Sequence, residues 1–355
     1  MKIIKTLIVM LSSVSLFTSV NAGEVGVSGT AKATYNIQSG KTNAGKGLGI
    51  TNELNFTATG ETDQGYTWSY SMELDPGAVT ASGQAAENDD TKLTVGTPYG
   101  TFGVFISEGG LDVEDAASQS AYARPTDMGD PSGTTDNFTI DSYNNVQYHT
   151  PGDMLPFGIT AKIAYAPDLD QSYGSGNAGG AVSTKSNTFA GENATEIQVK
   201  AAPIDGLTIG ASYFDFSQDG VAKMDQNAES GAYYATYSQG AVSVGYSQAY
   251  RAERLETGSI VASDKATNID YYDQTNYSIA FAATDDITVS YEQETSEAVK
   301  VQSGTTNVEQ KSTGVQIAYT MGGMTLALAH NSHDNNGYVT GANTDQTLLA
   351  LTMAF

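Results

Sequence analysis

The chain's last residues read "LLALTMAF" (Leu348–Phe355), and they alternate. Leu349, Leu351, Met353 and Phe355 fall on one side of an extended backbone, and Leu348, Ala350, Thr352 and Ala354 on the other. Chain ends are ordinarily loose and solvated. This one is a strongly apolar segment that stops on an aromatic ring. Such an end suits a strand that crosses a bilayer, with the ring at headgroup depth and the carboxylate in water beyond it.

The same period of two recurs towards the N-terminus. In "GYTWSYSMELD", Tyr66, Trp68, Tyr70, Met72 and Leu74 share a face. In "GLTIGASYF", Leu207, Ile209, Ala211 and Tyr213 do so, and in "DITVSYEQE" Ile287, Val289 and Tyr291. No long helical period of 3.6 competes with this alternation. Composition agrees, with 38 Gly, 21 Tyr and only 8 Pro. Tight Gly, Asp or Pro turns at 62–65, 97–100, 203–206, 238–240, 284–286 and 321–323 read as hairpins, with a longer one at 151–158. Between hairpins lie long polar stretches such as 76–89, 167–191, 253–268 and 295–309.

These signals predict sixteen strands over 24–37, 48–61, 65–75, 90–97, 100–107, 142–150, 157–166, 193–203, 206–217, 229–238, 240–252, 270–284, 286–294, 311–321, 323–331 and 345–355. Short turns at one end and long loops at the other are the asymmetry of a transmembrane antiparallel β-barrel. Pairing the last strand with the first would close it and satisfy every strand edge in lipid. A mean hydropathy of −0.27 does not oppose this, because such strands alternate lipid-facing with lumen-facing residues.

The N-terminus, "MKIIKTLIVMLSSVSLFTSVNA", has a basic start, an apolar run and a small-residue end at Ala22. It reads as a signal peptide over 1–22, leaving 23–355 as a single barrel domain. The net charge of −24 opposes nucleic acid as a partner, since phosphate binding needs a basic surface. The absence of cysteine removes disulfides and thiol chemistry.

With this layout, the hairpin "YTMGGMTLALAHN" (319–331), a long third loop and terminal Phe355, the chain resembles the general diffusion porins of Gram-negative outer membranes. The resemblance spans 23–355. It implies a homotrimer in outer-membrane lipid, with one water-filled pore per subunit narrowed by an inward-folded third loop. Its passengers would be small polar solutes and ions. It also makes Phe355 an assembly signal.

The third loop, Glu108 to Asp141, carries Glu108, Asp112, Glu114, Asp115, Asp127, Asp130, Asp136 and Asp141 against a single base, Arg124. A loop of this length is ordinarily functional or disordered. The plain alternative is a solvated acidic surface loop. The functional reading places Asp112, Glu114, Asp115, Arg124, Asp127 and Asp130 at a pore constriction. If Val27 and Ala31 face out, Lys32 faces the lumen, and the same parity turns Glu53, Glu73, Lys92, Lys162, Glu196, Lys200 and Glu292 inward. A Lys on the lipid face near the midplane would cost about 2–4 kcal/mol. Porins that this chain resembles set basic wall residues against the acids of the third loop, which makes Lys32, Lys92 and Lys162 the counterparts here. Arg is absent from these early strands, a departure from that pattern. The acids of 108–141 would suit calcium chemically, but their spacing is not that of an EF-hand, and no cofactor is expected.

Two other function classes compete. A secreted β-rich adhesin or surface structural protein would lack an outward apolar face around the whole chain. A barrel enzyme would have to use His330, Ser332, His333 and Asp334 in "HNSHD", a cluster that a solvated loop explains as well. The expectation is therefore a passive, non-enzymatic channel that modestly prefers cations.

Overall fold

The computed structural model describes residues 23–40, 44–76, 86–128, 136–167, 169, 193–217, 224–253, 255–256, 268–301, 304 and 306–355. The expected signal segment 1–22 lies outside these residues.

Sixteen antiparallel strands close into one barrel, each paired with its neighbours in sequence and the last with the first. They are β1 Val25–Gly40, β2 Gly45–Glu61, β3 Thr67–Pro76, β4 Ala86–Thr97, β5 Gly100–Ile106, β6 Asn145–His149, β7 Thr160–Ala166 and β8 Asn193–Ile204. Then follow β9 Leu207–Ser217, β10 Glu229–Gln239, β11 Val242–Ala252, β12 Ile269–Ala282, β13 Ile287–Lys300, β14 Val308–Met321, β15 Met324–Asp334 and β16 Thr344–Ala354. No helix among the described residues is long and apolar enough to cross a membrane.

At the seam, β1 and β16 run in register from Thr30 opposite Ala354 to Gly40 opposite Thr344. Phe355 completes the ladder. Its N–H donates to the Gly29 carbonyl at 3.0 Å, and the Gly29 N–H donates to the Phe355 carbonyl at 2.9 Å. Gly29 leaves room for this end, since a Cβ there would lie 3.0 Å from the Phe355 ring and 2.5 Å from the Glu53 carbonyl oxygen.

Side chains sort by parity, as the pleat requires. The outer surface exposes Ile209, Val244, Ile279, Ile317, Leu328 and Leu349. Towards the short turns this apolar band meets Tyr237, Phe281, Tyr319 and Phe355. Towards the loops it meets a row of tyrosines in which Tyr233 and Tyr246 lie 6.3 Å apart, and Tyr246 and Tyr277 5.3 Å. An apolar belt bordered by aromatic rows is how a closed barrel sits in a bilayer.

Several boundaries differ from the sequence expectation. β13 runs on to Lys300, through residues read as loop. Glu297 pairs with Asp273 and Ser296 with Gln274, so the ladder continues although both of its faces have turned polar. The apolar alternation ends with the lipid, not with the strand. β6 begins at Asn145 instead of 142, because Ile140–Ser142 forms a 3-10 turn. Two stretches read as loop contribute a small ladder of Met224–Gln226 with Leu255–Glu256.

The apolar core lies inside the barrel, between wall and third loop. Leu111 and Ile140 of the loop bury against Ala164, Ala166, Ala194 and Phe214. Val113 and Ala117 bury against Ala232, Tyr234 and Ala249. Met128 buries against Ala318, Ala327, Ala329, Leu348 and Ala350. Burying each Leu, Ile or Phe contributes roughly 1.5–3 kcal/mol. An inner wall that would otherwise face water is apolar at these positions because the loop covers it.

Candidate pore and its third loop

The loop leaves β5 through Ser107 (φ 52°) and Gly109 (φ 86°), both in the left-handed region that turns the chain sharply. A Cβ at Gly109 would come within 2.5 Å of the Gln147 side-chain nitrogen, so the glycine also permits a close approach to the wall. From there the chain runs along the inner wall. A buried backbone segment must have its N–H and C=O groups satisfied. Here inward-facing strand residues satisfy many of them.

Glu196 on β8 accepts the N–H groups of Leu111 (3.3 Å) and Ile140 (2.8 Å), tying the outgoing and returning limbs together. Gln198 donates to the Leu111 carbonyl at 2.7 Å. Ser230 on β10 bonds Phe138, Ser247 on β11 donates to the Glu114 carbonyl, and Ser278 on β12 donates to the Ala117 carbonyl. Gly245 makes the close approach at β11 possible, since any Cβ there would overlap the Ala117 carbonyl. On β13, Glu292 accepts from the hydroxyls of Ser118 and Ser120, and Ser290 accepts the Ala121 N–H. On β14, Gln316 accepts from Tyr122 N–H at 2.9 Å and donates to the Ala123 carbonyl at 2.6 Å.

The expected constriction residues are placed as follows. Arg124 is buried, its side chain 8% exposed. It donates to Glu294 at 2.8 Å, pairs with Asp115, reaches Asp136 at 3.3 Å and lies 4.0 Å from Asp127. Those three aspartates are half exposed or more, at 52%, 62% and 50% for Asp115, Asp136 and Asp127. Glu294 also accepts the N–H and hydroxyl of Thr126. The loop's one base is thus spent on internal carboxylates.

Glu114 corrects its assignment to the pore lining. It is buried, its Oε1 accepts the Asn137 N–H at 3.0 Å, and its Oε2 has no partner. Asp112 is partly exposed beside it, and Asp130 lies outside the described residues.

On the wall, Lys92 pairs with Glu108 at the loop's root. Lys32 Nζ stands 5.7 Å from the Tyr122 ring centroid. Glu53 accepts from the Thr30 hydroxyl at 3.3 Å, and Glu73 faces inward opposite Asn55. Lys162 lies lower, opposite His149. The loop's hydrogen bonds go mainly to β6–β14, which leaves the inner faces of β1–β4 towards water.

Sequence reasoning had turned Glu196 and Glu292 inward but had not seen that they hold the loop. Glu294 was missed altogether, although it shares the parity of Glu292. The row of inward Ser, Gln and Glu on β10–β14 suits a wall that meets water as well as one that meets a folded segment, so it carries no separate signal.

The histidine cluster is split by the pleat. His333 is buried inside, its Nδ1 2.9 Å from the Ser312 hydroxyl, whereas His330 faces outward beside Thr347. Among the described residues, no three His, Cys, Asp or Glu side chains are placed to hold a metal ion.

The loop's buried acids carry a pH dependence. Burial first, then the charge of Asp112, raises the Glu114 pKa from 4.5 to about 8. Burial and Asp112 raise Asp141 as well, and burial raises Asp127 against the opposing pull of Arg124. Burial alone would lower the pKa of Arg124, but Glu294, Asp127 and Asp136 outweigh it and keep the group charged. A carboxyl whose folded pKa exceeds its unfolded value stabilises the fold below the unfolded pKa, and that stability is lost as pH rises through the folded pKa. The loop seat should therefore weaken between pH 4.5 and about 8 as Glu114 ionises. Glu114→Gln should flatten this dependence, read as loop proteolysis against pH. Equal slopes in both proteins would refute the assignment.

No protein-family model matches the chain, and no curated protein does. Solved structures do match. Two substituted variants of Rh. blastica porin each align with a TM-score of 0.60 at 15% identity, covering 94% of this chain and 100% of theirs. A further porin structure aligns with a TM-score of 0.60 at 14% identity and the same coverage. At such identity the likeness is one of fold: this chain has the closed sixteen-strand barrel of the porins.

Proposed function

We propose that the protein is a passive channel of a Gram-negative outer membrane, admitting small hydrophilic solutes and ions with a modest preference for cations. The observation that carries this reading is a lipid-facing barrel whose third loop is fastened inside against one wall, leaving the polar opposite wall to water. Such a passage needs no chemistry, because width and charge at the narrow part select what passes. An adhesin gains nothing from an apolar exterior belt with no free sheet edge.

The cation preference follows from a charge balance. Arg124 is neutralised within the loop, while Asp115, Asp127 and Asp136 keep half or more of their surface in water. Of the opposing lysines, Lys92 is already paired with Glu108, Lys32 stands 5.7 Å from the Tyr122 ring centroid, and Lys162 on β7, opposite Gln198, opposes the loop acids only from the short-turn side. Acids lining a low-dielectric passage concentrate cations. Screening over about 8 Å at physiological salt keeps the effect small.

A homotrimer belongs to the same reading. Its support is the outward face of β1, where Ala31 and Ala33 offer small side chains that suit protein packing better than lipid. Planar-bilayer recordings test both points. Reversal potentials across a potassium chloride gradient should have the cation sign and shrink in concentrated salt, and each insertion should close in three equal steps. A zero or anionic potential would sink the selectivity, and single-step closure the trimer.

A further inference from the structure

We propose that the short-turn half of the lumen holds an anion subsite built on Lys162 and Lys200, suited to a small oxyanion with two negative charges, such as phosphate or a dicarboxylate. The proposal rests on the channel reading above.

The register brings the two lysines together. Lys162 on β7 is opposite Gln198 on β8, and Thr160 is opposite Lys200. Lys162 and Lys200 are therefore diagonal neighbours on one inner face, a spacing that long side chains bridge. His149 on β6 lies directly opposite Lys162 and extends the row. The Lys200 ammonium stands 6.0 Å from the ring centroid of Tyr234, itself 6% exposed. Both lysines are half-buried and open to the lumen.

Neither lysine has an ion-pair partner among the described residues. The charge that Lys162 feels is that of Lys200, and the charge that His149 feels is that of Lys162. The nearest acid on the same ladder, Glu196, is 1% exposed and committed to the N–H groups of Leu111 and Ile140. Two ammonium groups brought close on one face of a sheet repel each other. In a chain with 40 acids against 16 bases, a carboxylate would be the easy remedy, and none is supplied. The repulsion is relieved when an anion enters, most of all by one whose charge matches both ammonium groups. Lysine binds phosphate and carboxylate as a point charge, so two of them form a two-point clamp.

The position decides the consequence. Gln198, which separates the lysines from Glu196, donates to Leu111 of the loop. The clamp thus lies just on the short-turn side of the acidic loop. Anions arriving from that side reach it without passing the acids, and anions from the other side must pass them.

The test is conductance in potassium chloride with inorganic phosphate added to one side at a time. Block should be stronger from the short-turn side. The double variant K162Q/K200Q should raise the half-blocking concentration at least about tenfold, a loss of about 1.4 kcal/mol. K46Q, at a lysine on β2 outside the lumen, should leave the block unchanged. Succinate that blocks as phosphate does supports a general clamp for doubly charged oxyanions, and block by phosphate alone supports a phosphate clamp. Equal block in the double variant, or no preference for side, overturns the subsite while leaving the channel intact. Failure to form channels at all overturns the channel reading and the subsite with it.

Discussion

Arg124→Met is expected to unseat the middle of the third loop. The guanidinium is the hub for Glu294, Asp115, Asp127 and Asp136, and it is nearly fully buried with Glu294. Removing one partner of a buried pair leaves an uncompensated charge and costs about 3–5 kcal/mol. Surface ion pairs, by contrast, are worth about 0–1 kcal/mol. The loss should be local, because the barrel's own ladders do not involve Arg124. The variant should insert normally but show new protease cuts between residues 107 and 144 and a noisier open channel. Unchanged proteolysis and noise would mean that the loop is held by its serine and glutamine bonds without the ion cluster.

Deleting Phe355 should lower the yield of folded barrel several-fold. The residue contributes two backbone hydrogen bonds to Gly29 and a ring seated over it. In water such bonds are worth about 0.5–1.5 kcal/mol each. Gly29→Leu attacks the same seat from the other side, since its side chain would collide with the Phe355 ring. Heat-modifiable mobility on gels, after refolding into detergent or vesicles, reads both. If the truncated chain assembles as fully as the intact one, the terminal aromatic is not part of the closure.

Much of the barrel was legible because lipid imposes a strict rule on its outer face. Leu349, Leu351 and Met353 must be apolar whatever else happens, and their alternation survives in the sequence. The upper part of β13 was not legible, because Thr295, Ser296 and Glu297 leave the lipid and no solvent demand distinguishes their two faces. The loop was legible as to length and charge but not as to contact. Glu114 and Asp115 are neighbours of the same type, yet one is buried and one half exposed. That difference depends on which wall residue each meets, and Asn137 and Arg124 are brought to them by the path of the loop, which no local pattern encodes. Glu196, Glu292 and Glu294 had the right parity, but parity alone cannot separate a residue that meets water from one that meets a folded segment.

The seam between β1 and β16 has a consequence for the order of events in assembly. Its partners come from opposite ends of the chain, so every earlier intermediate is an open ribbon with two bare hydrogen-bonding edges. Bare edges recruit other strands, and contacts distant in sequence form slowly. Phe355, just past the last strand, meets Gly29 of the first. The chain therefore cannot protect itself progressively as it is made. It must be kept from sealing against its neighbours until β16 is made, and it is the pairing of β16 with β1 that finishes the fold.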